Sequence, residues 1–298
     1  MEALLKAISD WIEGFESDFE ALQLRLNKAI LGAEASILRK ILSDILPELK
    51  LKDGFLVGGV SNMAKANMIE RIFDEVGRDE VNAILLEYSN ALLGISGKNA
   101  AYYYTIGFDR EKVDAIAGDL SLIRGVIGID KDGQLLKDGF LYRLGRSEAV
   151  RDKIKQYVLT SIASQQSLKQ FQSGLKEVVK GRGDVSGSLT SYWNNYAYDA
   201  YSRVREIDNL HFKNEIGLRH FIYQGGLIKT SREFCIKKNG KAFTEEEAKK
   251  NWPNDPDLID QKHLSTYNPL IDRGRYNCRH FLMWISEDRY NEIKAAKK

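Results

Sequence analysis

A chain of 298 residues, 43% hydrophobic and 29% charged, has material for one large domain or two ordinary ones. It contains no stretch near the ~18 uninterrupted apolar residues of a membrane helix, and two cysteines are too few for a disulfide scaffold. The net charge of +2 hides an asymmetry: residues 1–150 carry 18 Lys/Arg against 24 Asp/Glu, or −6, and residues 151–298 carry 26 against 18, or +8. The C-terminal half is therefore the half suited to DNA. No block of five or six consecutive basic residues occurs, so scattered charge on a solvated surface explains the same numbers. The opening Met1-Glu2-Ala3-Leu4-Leu5-Lys6 lacks the basic start and apolar run of a secretion signal, and cytoplasmic synthesis is expected.

Residues 2–50 read as helix, with Leu22, Leu26, Ala29, Ala33, Ile37, Ile41 and Leu46 at near-helical steps. Pro47 and the Lys52-Asp53-Gly54 turn close it. Ser61 is the expected N-cap of a helix to about Val76, ended by Gly77, with another helix over 79–93. A helix near 109–124 is expected to be capped by Asp109. Asp130-Lys131-Asp132-Gly133 carries a faint calcium-loop spacing, but it lacks the closing Glu and reads as an Asp-Gly turn. From Ser147 to Lys180 the apolar side is Ile154, Val158, Ile162, Leu168, Phe171, Leu175 and Val178. Gly181-Arg182-Gly183-Asp184 breaks the pattern, and a long helix follows over roughly 188–209. Its Tyr192, Trp193, Tyr196 and Tyr201 read as packing surface rather than as a base-stacking platform. After Gly217 the pattern changes to a strand over 218–223. Asn239-Gly240 is a turn, and Thr244-Glu245-Glu246-Glu247 is a capping box opening a helix that ends near Trp252. The expected class is α+β: a mostly helical N-terminal two thirds and a small mixed C-terminal subdomain containing a short sheet.

The chemistry-bearing residues are concentrated at the C-terminal end. Cys278 and His280, two apart on an extended segment, face the same way and suit one metal ion. Cys235 is a third candidate ligand, and His211, His220 or His263 a fourth; zinc accepts such mixed sulfur and nitrogen shells. The competing reading is that Cys235 and Cys278 are small buried groups packing a compact subdomain, with His280 hydrogen-bonded. No Cys-x-x-Cys knuckle, phosphate-binding glycine loop or carboxylate cluster is present, so no catalytic residue is assigned and a non-enzymatic role is expected. Arg232, Arg273, Arg275 and Arg279 are suited to phosphates or to pairing with Glu233, Asp260 and Asp272.

The order of these elements resembles the phage head morphogenesis proteins, the Mu F-like minor head proteins of tailed bacteriophages. The resemblance covers residues 188–285. It runs through a helix with Ala197, Ala200 and Arg203, the strand, Thr230-Ser231-Arg232, and Cys235. It continues through Asn239-Gly240-Lys241 with Phe243, and closes on Asn277-Cys278-Arg279-His280, where His280 replaces the more usual final Cys. It implies a helical N-terminal region over 1–146 and a Mu F-like region over 147–298, whose compact α+β part spans 211–290. The structural motif residues are Arg232, Gly240, Phe243, Asn277 and Arg279, and the metal candidates Cys235, Cys278 and His280. The implied role is a minor structural or assembly component at the portal or inner capsid of the virion. Its expected partners are the portal or major capsid protein and packaged DNA contacted without sequence readout, with no membrane. The alternative from a different class is a metal-dependent nucleic-acid enzyme or toxin-like effector using the same Cys and His residues.

Overall fold

The computed structural model describes residues 2–259, 265–275 and 278–296. In chain order, α1 (Glu2–Lys40) passes through a π turn at Ile41–Ile45 and a short 3-10 turn at Leu46–Glu48, where Pro47 sits in the first turn. The hairpin β1 (Leu51–Lys52) and β2 (Phe55–Leu56) follows. Next come α2 (Val60–Lys65), α3 (Met68–Val76), a π turn at Gly77–Val81 and α4 (Asn82–Leu93). The chain continues with α5 (Ile95–Thr105), α6 (Arg110–Gly118), α7 (Ser121–Ile127), α8 (Phe140–Arg146), α9 (Glu148–Ala163) and α10 (Leu168–Lys180). A second hairpin, β3 (Gly181–Arg182) and β4 (Val185–Ser186), leads into α11 (Ser188–Ile216). The C-terminal part contains β5 (His220–Gly225), α12 (Glu233–Lys238), β6 (Lys241–Thr244), α13 (Glu245–Asn251), α14 (Pro269–Asp272), β7 (His280–Ile285) and α15 (Glu287–Ala296). The α+β class is as expected. Among the described residues no helix is long and apolar enough to cross a membrane.

Several boundaries differ from the sequence reading for local reasons. Ser61 caps nothing: Gly59 is the N-cap of α2, and Gly77 continues through a π turn instead of ending the helix. Asp109 does cap α6, accepting from the Lys112 amide, but a break at Asp119–Leu120 divides the expected 109–124 helix. The Asp130 carboxylate accepts from the Asp132 and Gln134 amides, which makes it a turn-forming group. Along α1 and the π turn that follows it the buried stripe is Leu22, Leu26, Ile30, Ala33, Ile37, Ile41 and Ile45, so Ile30 and Ile45 replace Ala29 and Leu46. Val179 likewise replaces Val178 on α10. Four-residue steps hold a 3.6-residue helix on one face only when an occasional step of three corrects the drift.

The chain forms two compact units that interleave in sequence: residues 1–20, 91–126 and 198–298, and residues 21–90 and 127–197. The second unit is helical with two small hairpins. Its core is mainly aliphatic, with Ile69, Ile72, Val150, Ile154, Val158 and Leu175 buried around the rings of Tyr88, Phe171 and Trp193. Buried Asn62 ties the loop around the first hairpin, accepting from the Lys50 amide and donating to the Lys50 and Val57 carbonyls. Glu34, fully buried, accepts from the Thr190 amide in the first turn of α11 and so caps that helix from a distant part of the chain.

The first unit holds the sheet, in the order β6-β5-β7 with both pairings antiparallel. Phe221 opposes Trp284 and Phe243, and Gly225 opposes His280. All six residues of β7 are buried, which departs from the alternation of a half-exposed strand and means that both faces are covered. On one face Phe281 packs against Trp11 and Phe15 of α1, with centroids 5.6 and 5.8 Å apart. On the other, Trp252 meets the rings of Phe221, Tyr223, Phe234 and Phe243 edge-on.

Candidate metal centre

β5 pairs with β7 so that Tyr223 and Gly225 share a sheet face with Leu282 and His280. α12 packs over this face and buries Phe234 and Cys235. Cys278 lies just before β7. The result is that Cys235, Cys278 and His280, all buried, bring their donor atoms within 4.8 Å of one another. The two sulfurs are 4.0 Å apart, and Cys278 Sγ is 4.0 Å from His280 Nδ1. On a tetrahedral zinc with Zn–S near 2.3 Å, two sulfurs sit about 3.8 Å apart, and a sulfur and an imidazole nitrogen about 3.6 Å apart. The two edges that meet at Cys278 therefore stand within about 0.4 Å of the required lengths, and the third closes within 4.8 Å.

Two glycines make the room. A Cβ on Gly274 would lie 2.6 Å from Cys235 Sγ and 3.2 Å from Cys278 Sγ. One on Gly225 would lie 2.7 Å from the His280 Cα and 3.1 Å from its ring. The His280 ring stacks on Tyr223, with centroids 4.7 Å apart and planes 13° apart, and its Nε2 is buried with no hydrogen-bond partner among the described residues. The two cysteine sulfurs are within hydrogen-bonding reach of each other. Cys278 is held well below the usual thiol range by the hydrogen bond from Cys235, against the opposing effect of burial and with help from His280 and Arg273. Cys235 is correspondingly pushed up, by that same hydrogen bond and by burial. Two cysteine sulfurs beside an imidazole are a donor set a zinc site uses.

Beside Cys278 opens a pocket of about 360 Å³, also lined by Asp199, Ser202, Arg203, Asp272 and Arg273. Arg273 is the deepest of these and is 3% exposed. Its Nη1 is 2.9 Å from Glu206 Oε1 and its Nη2 donates to Ser202 Oγ at 2.7 Å. Glu206, wholly buried, also takes Nε and Nη2 of Arg205, at 2.9 and 2.5 Å. Arg205 in turn donates to the His280 carbonyl, and its guanidinium lies 3.5 Å from the Phe281 ring centroid. One carboxylate thus joins two guanidiniums, and through them α11, β7 and the loop carrying the candidate ligands.

The sequence-predicted residues divide accordingly. Cys235, Cys278 and His280 come together. His220 does not join them: it opens β5 opposite Ile285, five strand positions from Gly225, and its ring packs on Tyr290. That offset is about 17 Å of strand. His211, on α11, is likewise not part of the donor cluster. His263, Asp260 and Asn277 lie outside the described residues. Arg232 donates to the Gly274 carbonyl rather than pairing with Glu233, Asp272 pairs with Arg203, and Arg273 turns to Glu206. Arg279 is exposed. Gly240 adopts φ +70° after Asn239 and donates to the Tyr223 carbonyl, closing the β5–β6 connection, and Phe243 sits opposite Phe221. Glu247 and Thr244 form the predicted capping box.

Sequence reasoning missed Tyr223, Glu206 and Arg205. One signal existed for the last two: the stripe Trp193, Ala197, Tyr201, Val204 extended down the helix runs onto Arg205, Asp208 and Phe212, so charged residues fall on the buried face. No protein-family model, curated protein or solved structure matches the chain.

Proposed function

We propose that this chain is a minor structural or assembly protein of a tailed-phage head, acting at the portal or inner capsid in head morphogenesis and DNA packaging or passage. The reading starts from the order of motif residues between Ala197 and His280. The observation that carries it is their convergence: Cys235, Cys278 and His280 meet in space, and Arg232 spans to the Gly274 carbonyl beside them. Residues 43 positions apart in sequence thus act as the pins of one folding unit, as a docking module requires. We infer zinc as the ion that the three donors hold, since two sulfurs and an imidazole at tetrahedral spacing suit it. The basic C-terminal half supports contact with packaged DNA through its phosphates.

The test is co-assembly. The purified protein, incubated with portal rings and with procapsids of its own phage, is expected to co-sediment with at least one; failure with both overturns the assignment. One observation favours the enzymatic alternative, namely the pocket that reaches Cys278. Stoichiometric zinc together with nuclease activity lost in Cys278→Ala would establish that alternative in place of the structural role.

A further inference from the structure

We propose that the Tyr223 phenol oxygen is the fourth donor of the Cys235–Cys278–His280 centre, which would then hold a borderline-soft divalent cation such as zinc in a shell of two sulfurs, one nitrogen and one oxygen. This rests on the metal reading above and adds a residue to it.

Tyr223 is in the middle strand of the sheet and has no exposed surface. A buried tyrosine hydroxyl ordinarily finds a nitrogen or oxygen partner. This one lies between the two sulfurs, 3.3 Å from Cys235 Sγ and 3.4 Å from Cys278 Sγ. For zinc with Zn–S near 2.3 Å and Zn–O near 2.0 Å, a tetrahedral sulfur–oxygen edge is about 3.5 Å. The phenol oxygen therefore stands at both sulfur–oxygen edge lengths that a fourth ligand beside the two cysteines needs.

Three further features fit this role. The ring is fixed by stacking on His280 and by edge contacts to Trp252 and Phe234, so the oxygen is held in place before any ion arrives. A Cβ on Gly274 would come within 3.3 Å of that oxygen as well as crowding both sulfurs, so the cradle is shaped around four atoms rather than three. Finally, an oxygen anion added to two thiolates gives the shell one more negative charge than the ion carries. Two arginines stand beside it: buried Arg273 lines the same pocket as Cys278, and Arg232 donates to the Gly274 carbonyl. Neither of the other described histidines competes for the vertex: His220 is at the other end of β5 and His211 is not in the cluster.

The experiment titrates the full-length, reduced protein with cobalt(II) and then zinc(II). Wild type is expected to develop four-coordinate cobalt bands and a thiolate charge-transfer band. An ultraviolet difference band of metal-bound tyrosine should rise in step with them. Tyr223→Phe keeps the ring and its stacking; it is expected to lose the tyrosine band, shift the cobalt bands and bind zinc at least ~100-fold more weakly, the upper end for loss of an outer-shell partner. The wild-type band decides the matter even if the variant folds poorly. Thiolate bands without a tyrosine band overturn the proposal while leaving the three-donor centre standing. So does a His263→Ala protein that loses affinity while Tyr223→Phe binds normally. Wild type that takes up neither metal with both thiols reduced overturns this proposal and the metal reading together.

Discussion

The two units solve the same problem, a buried carboxylate, in opposite ways. In the helical unit Glu34 is fully buried and leans on backbone amides: Thr190 donates to one oxygen, and the other has no hydrogen-bond partner among the described residues. In the sheet-bearing unit Glu206 is just as buried but sits between two guanidiniums. Burial raises the Glu34 carboxyl above the ordinary carboxylate range, with the Thr190 amide opposing it. A helix N-terminus offers a buried acid partial charge only, whereas an arginine pair offers full charges at the cost of burying them too. The helical unit can lose its acid cheaply; the other cannot, because its arginines hold the loop that carries the candidate ligands.

The sharpest way to break this contrast is Glu206→Ala. It leaves Arg205 and Arg273 buried and uncompensated, and denaturant unfolding is expected to show a loss of about 3–5 kcal/mol. A loss below 1 kcal/mol would mean that the arginines find water. Gly274→Ala comes next. Its Cβ must push both sulfurs and the Tyr223 hydroxyl, with an expected cost of about 1–3 kcal/mol and weaker zinc binding in a competition assay. In the helical unit, Glu34→Ala removes the distant cap and should cost about 1 kcal/mol in the same unfolding assay.

Glu34→Gln separates charge from capping. A raised folded-state pKa means that the acid contributes its stability below the ordinary carboxylate range and loses it as pH rises through the raised value. The Gln variant should therefore gain on wild type as pH increases, most clearly at neutral pH; a pH-independent difference would refute the assignment. A second pH test lies at Asp208, which accepts from Asn99 Nδ2 and is pushed by burial up to about 6. Its contribution is present at low pH and fades as pH rises through about 6, so Asp208→Asn should flatten the stability profile between pH ~4 and ~6.

Legibility followed the same division. The helical unit could be read from periodicity, because an aliphatic stripe such as Leu22, Leu26, Ala33, Ile37 and Ile41 is a local property of a 3.6-residue repeat. The slips along those stripes, Ala29 for Ile30, Leu46 for Ile45 and Val178 for Val179, are single steps. The sheet-bearing unit showed its ligand types in the sequence but not their partners. Four arginines near two cysteines looked like salt bridges to nearby acids, yet Arg273 reaches a glutamate on α11, 67 positions earlier in the chain.

The sequence by itself determined the class, the helical stripes, the capping box at Thr244 and the identity of Cys235, Cys278 and His280 as residues able to share a site. Only the tertiary structure decided that Tyr223 joins them, that His211 and His220 do not, and that Glu206 braces the arginines behind them. The physical reason is reach. Periodicity and capping act over about four residues, whereas the meeting of β5, α12 and the Cys278 segment depends on strand pairing and on two glycines that leave space for atoms far away in sequence.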